Sequence, residues 1–257
     1  MKGPHCSPQI TRAQPSKPGA LRCSLVLASA LTAIVACGCG SPEIRSSAPL
    51  PATPAPPVER APAQAGLPKV IFLGDSISAG LHLAEDQAFP AVLEHRLRAR
   101  GAPFELVNAG VSGDTTAGGV SRLAWLLRQA PDIIAVELGA NDAMRGIDPA
   151  LVEQNLRTIV ERIRAAGVTP LLLGMRIPPS YGAEHAEAID ALYDRIAADL
   201  KVAYVPYFMK GVAGDPGLNL PDGIHPTNEG HARLAQNVEP KLLELLRALP
   251  PSGAQKP

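Results

Sequence analysis

The sequence predicts an α/β fold: a parallel sheet with helices packed on both faces. Two observations carry this. Short apolar runs alternate with longer amphipathic stretches from Lys69 onward, and no internal repeat interrupts the alternation; alternating strand and helix means a parallel sheet with helices on both faces.

The strand-like runs are Val70–Leu73, Glu105–Val107, Ile133–Leu138, Pro170–Leu173 and Val202–Val205. Helical spacing marks Phe89–Arg100, Val120–Gln129, Ala150–Ala166, Glu184–Leu200 and Glu229–Leu246, the last expected to break or kink at Pro240. In Ala150–Ala166, Leu151, Leu156, Ile159, Val160 and Ile163 form one apolar stripe, with Glu153, Arg157, Glu161 and Arg164 elsewhere. Ligands of such sheets bind beyond the carboxyl ends of the strands, so chemistry is sought in the residues that follow each strand.

Composition bounds the function. The 257 residues include 24 Lys+Arg against 24 Asp+Glu, 46% hydrophobic residues and 27 prolines. Lys2, Arg12, Lys17 and Arg22 lie in a first segment without acids, leaving 20 basic against 24 acidic residues. No basic run follows residue 40, which excludes nucleic acid as a partner. Cys6, Cys23, Cys37 and Cys39 all precede residue 40, so the domain has neither an internal disulfide nor a thiolate metal site.

The N-terminal segment reads as an export signal. Thirteen uncharged residues, Ser24–Ala36, follow a basic stretch and are too short to span a bilayer comfortably. They run into Ile34-Val35-Ala36-Cys37, which resembles the lipobox of bacterial lipoproteins. The expectation is a signal peptide over 1–36, a lipidated Cys37, and a tether over 37–68 with eight prolines in 41–68. A catalytic-sized domain over 69–250 and a short tail over 251–257 complete the division. Gly38 after Cys37 favours the periplasmic face of an outer membrane; a soluble periplasmic or secreted protein is the alternative.

Four segments follow strands and carry chemistry. Gly74-Asp75-Ser76-Ile77-Ser78-Ala79-Gly80 places a serine at a strand-to-helix turn, where helix-start N–H groups can share an oxyanion; the same residues also suit a plain helix cap. In Asn108–Thr116 (NAGVSGDTT), Gly110 is open to a substrate oxygen or is a simple strand-end turn. In Leu138-Gly139-Ala140-Asn141-Asp142, Asn141 can offer its carboxamide to the same oxyanion or act as a turn residue.

Asp222-Gly223-Ile224-His225-Pro226 decides among these readings. A serine hydroxyl needs an imidazole to accept its proton, and the imidazole needs a carboxylate on its other nitrogen. Asp222 and His225 supply both from one loop, and Pro226 keeps His225 out of helical geometry. His231 reads as a surface or packing residue. A zinc site of Asp222, His225 and His231 is a poorer reading, because it lacks a short ligand pair.

In this order the segments resemble the blocks of the SGNH, or GDSL-type, hydrolase family. Gly74–Gly80, Val136–Gly146, Met175–Gly182 and Asp222–His231 are similar to the bacterial periplasmic arylesterase, thioesterase and lysophospholipase group, and the likeness covers residues 69–248. It implies a three-layer α/β/α sandwich on a five-stranded parallel sheet of flavodoxin-like architecture. It implies Ser76 as nucleophile, His225 as general base and acid, Asp222 as its orienting carboxylate, and an oxyanion hole from the N–H groups of Ser76 and Gly110 with the Asn141 side chain.

The reaction so implied is hydrolysis of carboxylic esters, acyl thioesters or lysophospholipids through an acyl-enzyme, by a monomer without metal or organic cofactor. Ile77 stands where the family name has leucine, and Ala140 where the group often has glycine. The loop Arg176–Gly182, with Ile177, Pro179 and Tyr181, is expected to border the acyl pocket. The rival readings are a carbohydrate O-deacetylase or acyltransferase, for which few aromatics offer a stacking platform, and a surface-anchored binding protein without turnover.

Overall fold

The computed structural model describes residues 66–250. The expected signal peptide, Cys37, most of the tether and the tail lie outside these residues. Five strands, β1 (Lys69–Gly74), β2 (Glu105–Gly110), β3 (Ile133–Glu137), β4 (Thr169–Leu173) and β5 (Ala203–Val205), form one sheet in the order β2-β1-β3-β4-β5. Every pairing is parallel, from Lys69↔Glu105 through Ile71↔Ile134 and Ala135↔Leu171 to Leu172↔Tyr204. Val70–Leu73, Ile133–Val136 and Leu171–Leu173 are buried without alternation, as central strands covered on both faces must be.

The helices are α1 (Ser76–Ala79), α2 (Phe89–Ala99), α3 (Thr116–Leu127), α4 (Ala140–Met144), α5 (Pro149–Ala165), α6 (Ala183–Leu200) and α7 (Asn228–Ala248). On one face of the sheet α2 packs against α7; on the other α5 lies between α3 and α6. The result is the expected three-layer sandwich. The chain reverses its direction of winding between β1 and β3, so the crevice above their carboxyl ends is where a ligand belongs.

Three expectations need correction. The last helix is not broken at Pro240: α7 runs through it, because Pro240 and Gln236 both face solvent and the carbonyl that loses its N–H partner is open to water. The stripe of α5 buries Val152 in place of Leu151, which is 46% exposed. The third helix begins at Thr116, ahead of the glycine pair Gly118-Gly119. A Cβ on Gly119 would meet Leu138 Cδ1 at 2.4 Å, so glycine there permits a close helix approach that outweighs its poor helix propensity.

Candidate active site

The turn after β1 is built by close approach. A Cβ on Gly74 would stand 2.0 Å from Ser78 Oγ and 2.6 Å from Glu137 Oε2, so only glycine lets the chain turn so tightly. Asp75 then caps α1, its Oδ1 accepting the Ile77 N–H at 2.9 Å, and Gly80 closes the helix in the left-handed region. Ser76, the first residue of α1, is 8% exposed, and its N–H has no hydrogen-bond partner among the described residues.

The loop after β5 brings the imidazole to this serine. Leu220 N–H donates to His225 O at 2.7 Å, Thr227 N–H donates to Leu218 O at 2.9 Å, and Asn219 bridges Pro226 in antiparallel fashion, so the segment folds back on itself as a short arch. Gly223, with φ of +70°, lets the arch reverse. Asp222 Oδ1 accepts the N–H groups of Ile224 and His225, which fixes the carboxylate before the ring is considered. Its Oδ2 lies 2.7 Å from His225 Nδ1, and His225 Nε2 lies 3.0 Å from Ser76 Oγ. Hydrogen bonds from the His225 backbone, the His225 ring and the Ile224 backbone pull the Asp222 carboxyl down to about 2. With the ring proton on Nδ1 facing Asp222, Nε2 is left to accept the serine proton.

Asn141, in α4, donates from Nδ2 to Asp75 Oδ2 at 3.0 Å, which leaves its second amide hydrogen uncommitted. Gly110 departs from expectation. Its N–H donates to Asn108 Oδ1 at 3.1 Å, while Asn108 Nδ2 donates to Ser78 O at 2.7 Å. Glycine is required there for another reason: a Cβ would lie 2.3 Å from the backbone nitrogen of Ala79. Three residues on, Gly113 sits at φ +78°, and its N–H has no partner among the described residues. Its carbonyl accepts from Arg145 at 2.9 Å.

The loop Arg176–Gly182 also differs in part. Ile177 is packed into the apolar core, whereas Pro179 and Tyr181 are exposed in a single 3₁₀ turn. His231 is buried, its ring against Phe89 and its Nδ1 accepting the Phe89 N–H at 3.0 Å; burial, with the charge of His225 second, lowers it to about 4. Among the described residues no group of three His, Cys, Asp or Glu is placed to hold a metal, and no helix is long and apolar enough to cross a membrane.

Several residues at the site carry no obvious mark in the sequence. Arg122 donates to Asp114 at 2.8 Å, to Ala109 O at 2.5 Å and to Gly74 O at 2.9 Å, joining the ends of β1 and β2 to the loop that follows β2. Asp142 accepts the Thr116 N–H at 2.9 Å and its hydroxyl at 2.6 Å, fixing the start of α3 against α4. His82, at φ +70°, presents its ring edge-on to His225 at 6.4 Å. Glu137 lies beneath the serine turn; a lone carboxylate ending an apolar strand was the available signal.

Residues 72–233 match the model of the GDSL-like lipase/acylhydrolase family. Esterase TesA of Pseudomonas aeruginosa is 44% identical over 184 residues, covering 71% of this chain and 92% of that protein. Thioesterase 1/protease 1/lysophospholipase L1 of Escherichia coli strain K12 is 38% identical over 178 residues, covering 69% of this chain and 84% of that one. A crystal structure of TesA superposes with a TM-score of 0.67 at 44% identity, over 69% of this chain and 99% of that chain. Fold, family model and relatives agree: this chain belongs to the GDSL-like lipase/acylhydrolase family.

Proposed function

We propose that the protein is a serine esterase that hydrolyses carboxylic esters, with acyl thioesters and lysophospholipids as related substrates. The observation that carries the reading is the hydrogen-bonded line from Asp222 Oδ2 through the His225 ring to Ser76 Oγ, at 2.7 and 3.0 Å. The named activities of the relatives, esterase for TesA and thioesterase and lysophospholipase for the Escherichia coli protein, support the substrate class.

In this reaction Ser76 Oγ attacks the ester carbonyl carbon as its proton passes to His225 Nε2. The tetrahedral oxygen takes hydrogen bonds from the N–H groups of Ser76 and Gly113 and from the free amide hydrogen of Asn141; Gly110 is omitted because Asn108 holds its N–H. His225 returns the proton to the leaving alcohol or thiol as the carbon–oxygen or carbon–sulfur bond breaks. Water then attacks the acyl-enzyme as its proton passes to His225, which returns it to Ser76 Oγ when the acyl carbon–Oγ bond breaks and the carboxylic acid leaves. Asp222 stabilises the imidazolium at both stages.

The purified protein is expected to release p-nitrophenol from short-chain p-nitrophenyl esters, and the Ser76→Ala protein to release none above background. Undiminished turnover in that variant would overturn the reading. Export and anchoring through a lipidated Cys37 belong to the same proposal and are supported by the Ser24–Cys37 pattern alone. Palmitate should label the expressed chain and not its Cys37→Ala form; equal labelling of both would remove the anchor.

A further inference from the structure

Glu137 ends β3 and is wholly buried. Its Oε2 accepts three donors from the serine turn: Ser78 Oγ–H at 2.7 Å, Ser78 N–H at 3.2 Å and Asp75 N–H at 3.3 Å. Its Oε1 has no hydrogen-bond partner among the described residues. The donors that converge on Oε2 flank Ser76 on both sides, so the nucleophile is slung between two points held by one carboxyl oxygen. Gly74, with no room for a Cβ beside Oε2, brings the backbone close enough for this.

Asp75 turns the same attachment toward the oxyanion site. Its backbone N–H is held by Glu137, and its side chain holds Asn141, four residues beyond Glu137 on the same strand-to-helix connection. The end of β3 thus grips the serine turn twice, by Glu137 on its backbone and by Asn141 on its side chain. Two carboxyls share this buried space, and they differ in what satisfies them. Asp75 has a donor on each oxygen and His225 within electrostatic reach; Glu137 is wholly buried, takes all its donors on Oε2 from neutral groups, and has no cationic partner among the described residues. Burial first, and the charge of Asp75 second, push Glu137 well above the ordinary carboxylate range, while Asp75 rises to about 6.

We propose that Glu137 is a positioning residue that works as a neutral carboxylic acid, suspending the Gly74–Ala79 turn from the end of β3 so that the Ser76 hydroxyl and the Asn141 carboxamide face one substrate carbonyl. The role rests on the serine-esterase reading for its effect on rate, but not for its protonation. The acid is the form that gives Oε2 to three donors without placing a second negative charge beside Asp75. Displacing the turn misaligns the attacking oxygen without removing any group that touches substrate, so kcat falls and KM does not.

The test compares the purified protein with Glu137→Leu, which fills the space but accepts no hydrogen bond, and Glu137→Gln, which keeps the accepting oxygen without the acidic proton. On a p-nitrophenyl ester at pH 8, the Leu variant is expected to lose on the order of 10- to 100-fold in kcat with KM within twofold, the size of effect a small misplacement has. The Gln variant is expected to recover kcat to within about threefold of the parent. Infrared spectra at pH 8, above the titration of Asp75, should contain the carbonyl stretch of a buried carboxylic acid that the Gln variant lacks.

A Leu variant that folds and turns over like the parent overturns the proposal. So does a Gln variant as impaired as the Leu one, or a parent spectrum without the acid band. If the Leu variant does not fold, the Gln kinetics and the band decide. A parent with no turnover at all contradicts the esterase reading instead, and the band still tests the protonation of Glu137.

Discussion

Asn141 gives one amide hydrogen to Asp75 at 3.0 Å, and Asp75 is the residue that caps the helix beginning with Ser76. The nucleophile and the side chain proposed to receive the oxyanion are thereby tied through one buried carboxylate. Replacing Asn141 by Ala should cost roughly 10²–10³ in kcat with a much smaller change in KM. Replacing Asp75 by Ala in that background should add less than it does alone, because part of its role acts through Asn141. Steady-state kinetics on the two single variants and the double variant provide the check; strict additivity would separate the two residues.

Asp222 fixes the tautomer of His225 from a loop that also fixes Asp222 itself. Replacing Asp222 by Asn keeps the shape of the arch but lets the amide present a donor to Nδ1, so kcat should fall on the order of 10³- to 10⁴-fold. The acid titration of Asp222 lies at about 2, so its loss cannot limit activity near neutrality. A pH–rate profile from pH 4 upward should therefore contain no limb that disappears in the Asp222→Asn protein.

Gly110 and Gly113 lie in one loop and should fail differently. An alanine at 110 meets the Ala79 backbone at 2.3 Å, so Gly110→Ala should lower the melting temperature along with activity. At 113 the added Cβ meets only the far end of Arg145 at 3.4 Å, and the positive φ costs about 1 kcal/mol. Gly113→Ala should lose kcat beyond what that modest destabilisation explains. Thermal melts beside initial rates distinguish the two.

His231 makes stability depend on pH with a definite sign. Its folded form is neutral down to about 4, against an ordinary value of 6.5, so the folded state binds fewer protons across that window. Its contribution is full above 6.5 and is lost as pH falls toward 4, up to roughly 3 kcal/mol. Asp75 runs the other way, since its raised carboxyl favours the folded state as pH falls from about 6 toward 3.8. The comparison is therefore between the parent and His231→Asn, whose amide oxygen can still accept the Phe89 N–H: denaturant midpoints should fall less steeply on acidification in the variant.

The strands were legible because burial on both faces demands uninterrupted apolar runs, as in Ile133–Val136 and Leu171–Leu173. The serine and the aspartate–histidine pair were legible because each sits in a short loop whose residues build it locally. Periodicity needs two turns or more to be visible, and α1 and α4, of four and five residues, are too short for it. The direction of an N–H is hidden as well: Gly110 looks suitable until Asn108 is seen to occupy its N–H, and nothing in the sequence singles out Gly113, three residues on. Arg122 and Glu137 lie 46 and 61 residues beyond Ser76 in the sequence, and only the parallel crossovers bring them beneath it. Pro240 misleads for a different reason, since a proline on a wet helix face leaves its orphaned carbonyl to solvent.

In the proposed reaction Ser76, activated by His225, forms the covalent intermediate. The direct measurement is mass spectrometry of the purified protein after reaction with an alkyl fluorophosphonate. A single adduct is expected, on the peptide containing Ser76, formed at a rate that collapses in the His225→Ala protein. An adduct on another residue, or none on the folded protein, would contradict it.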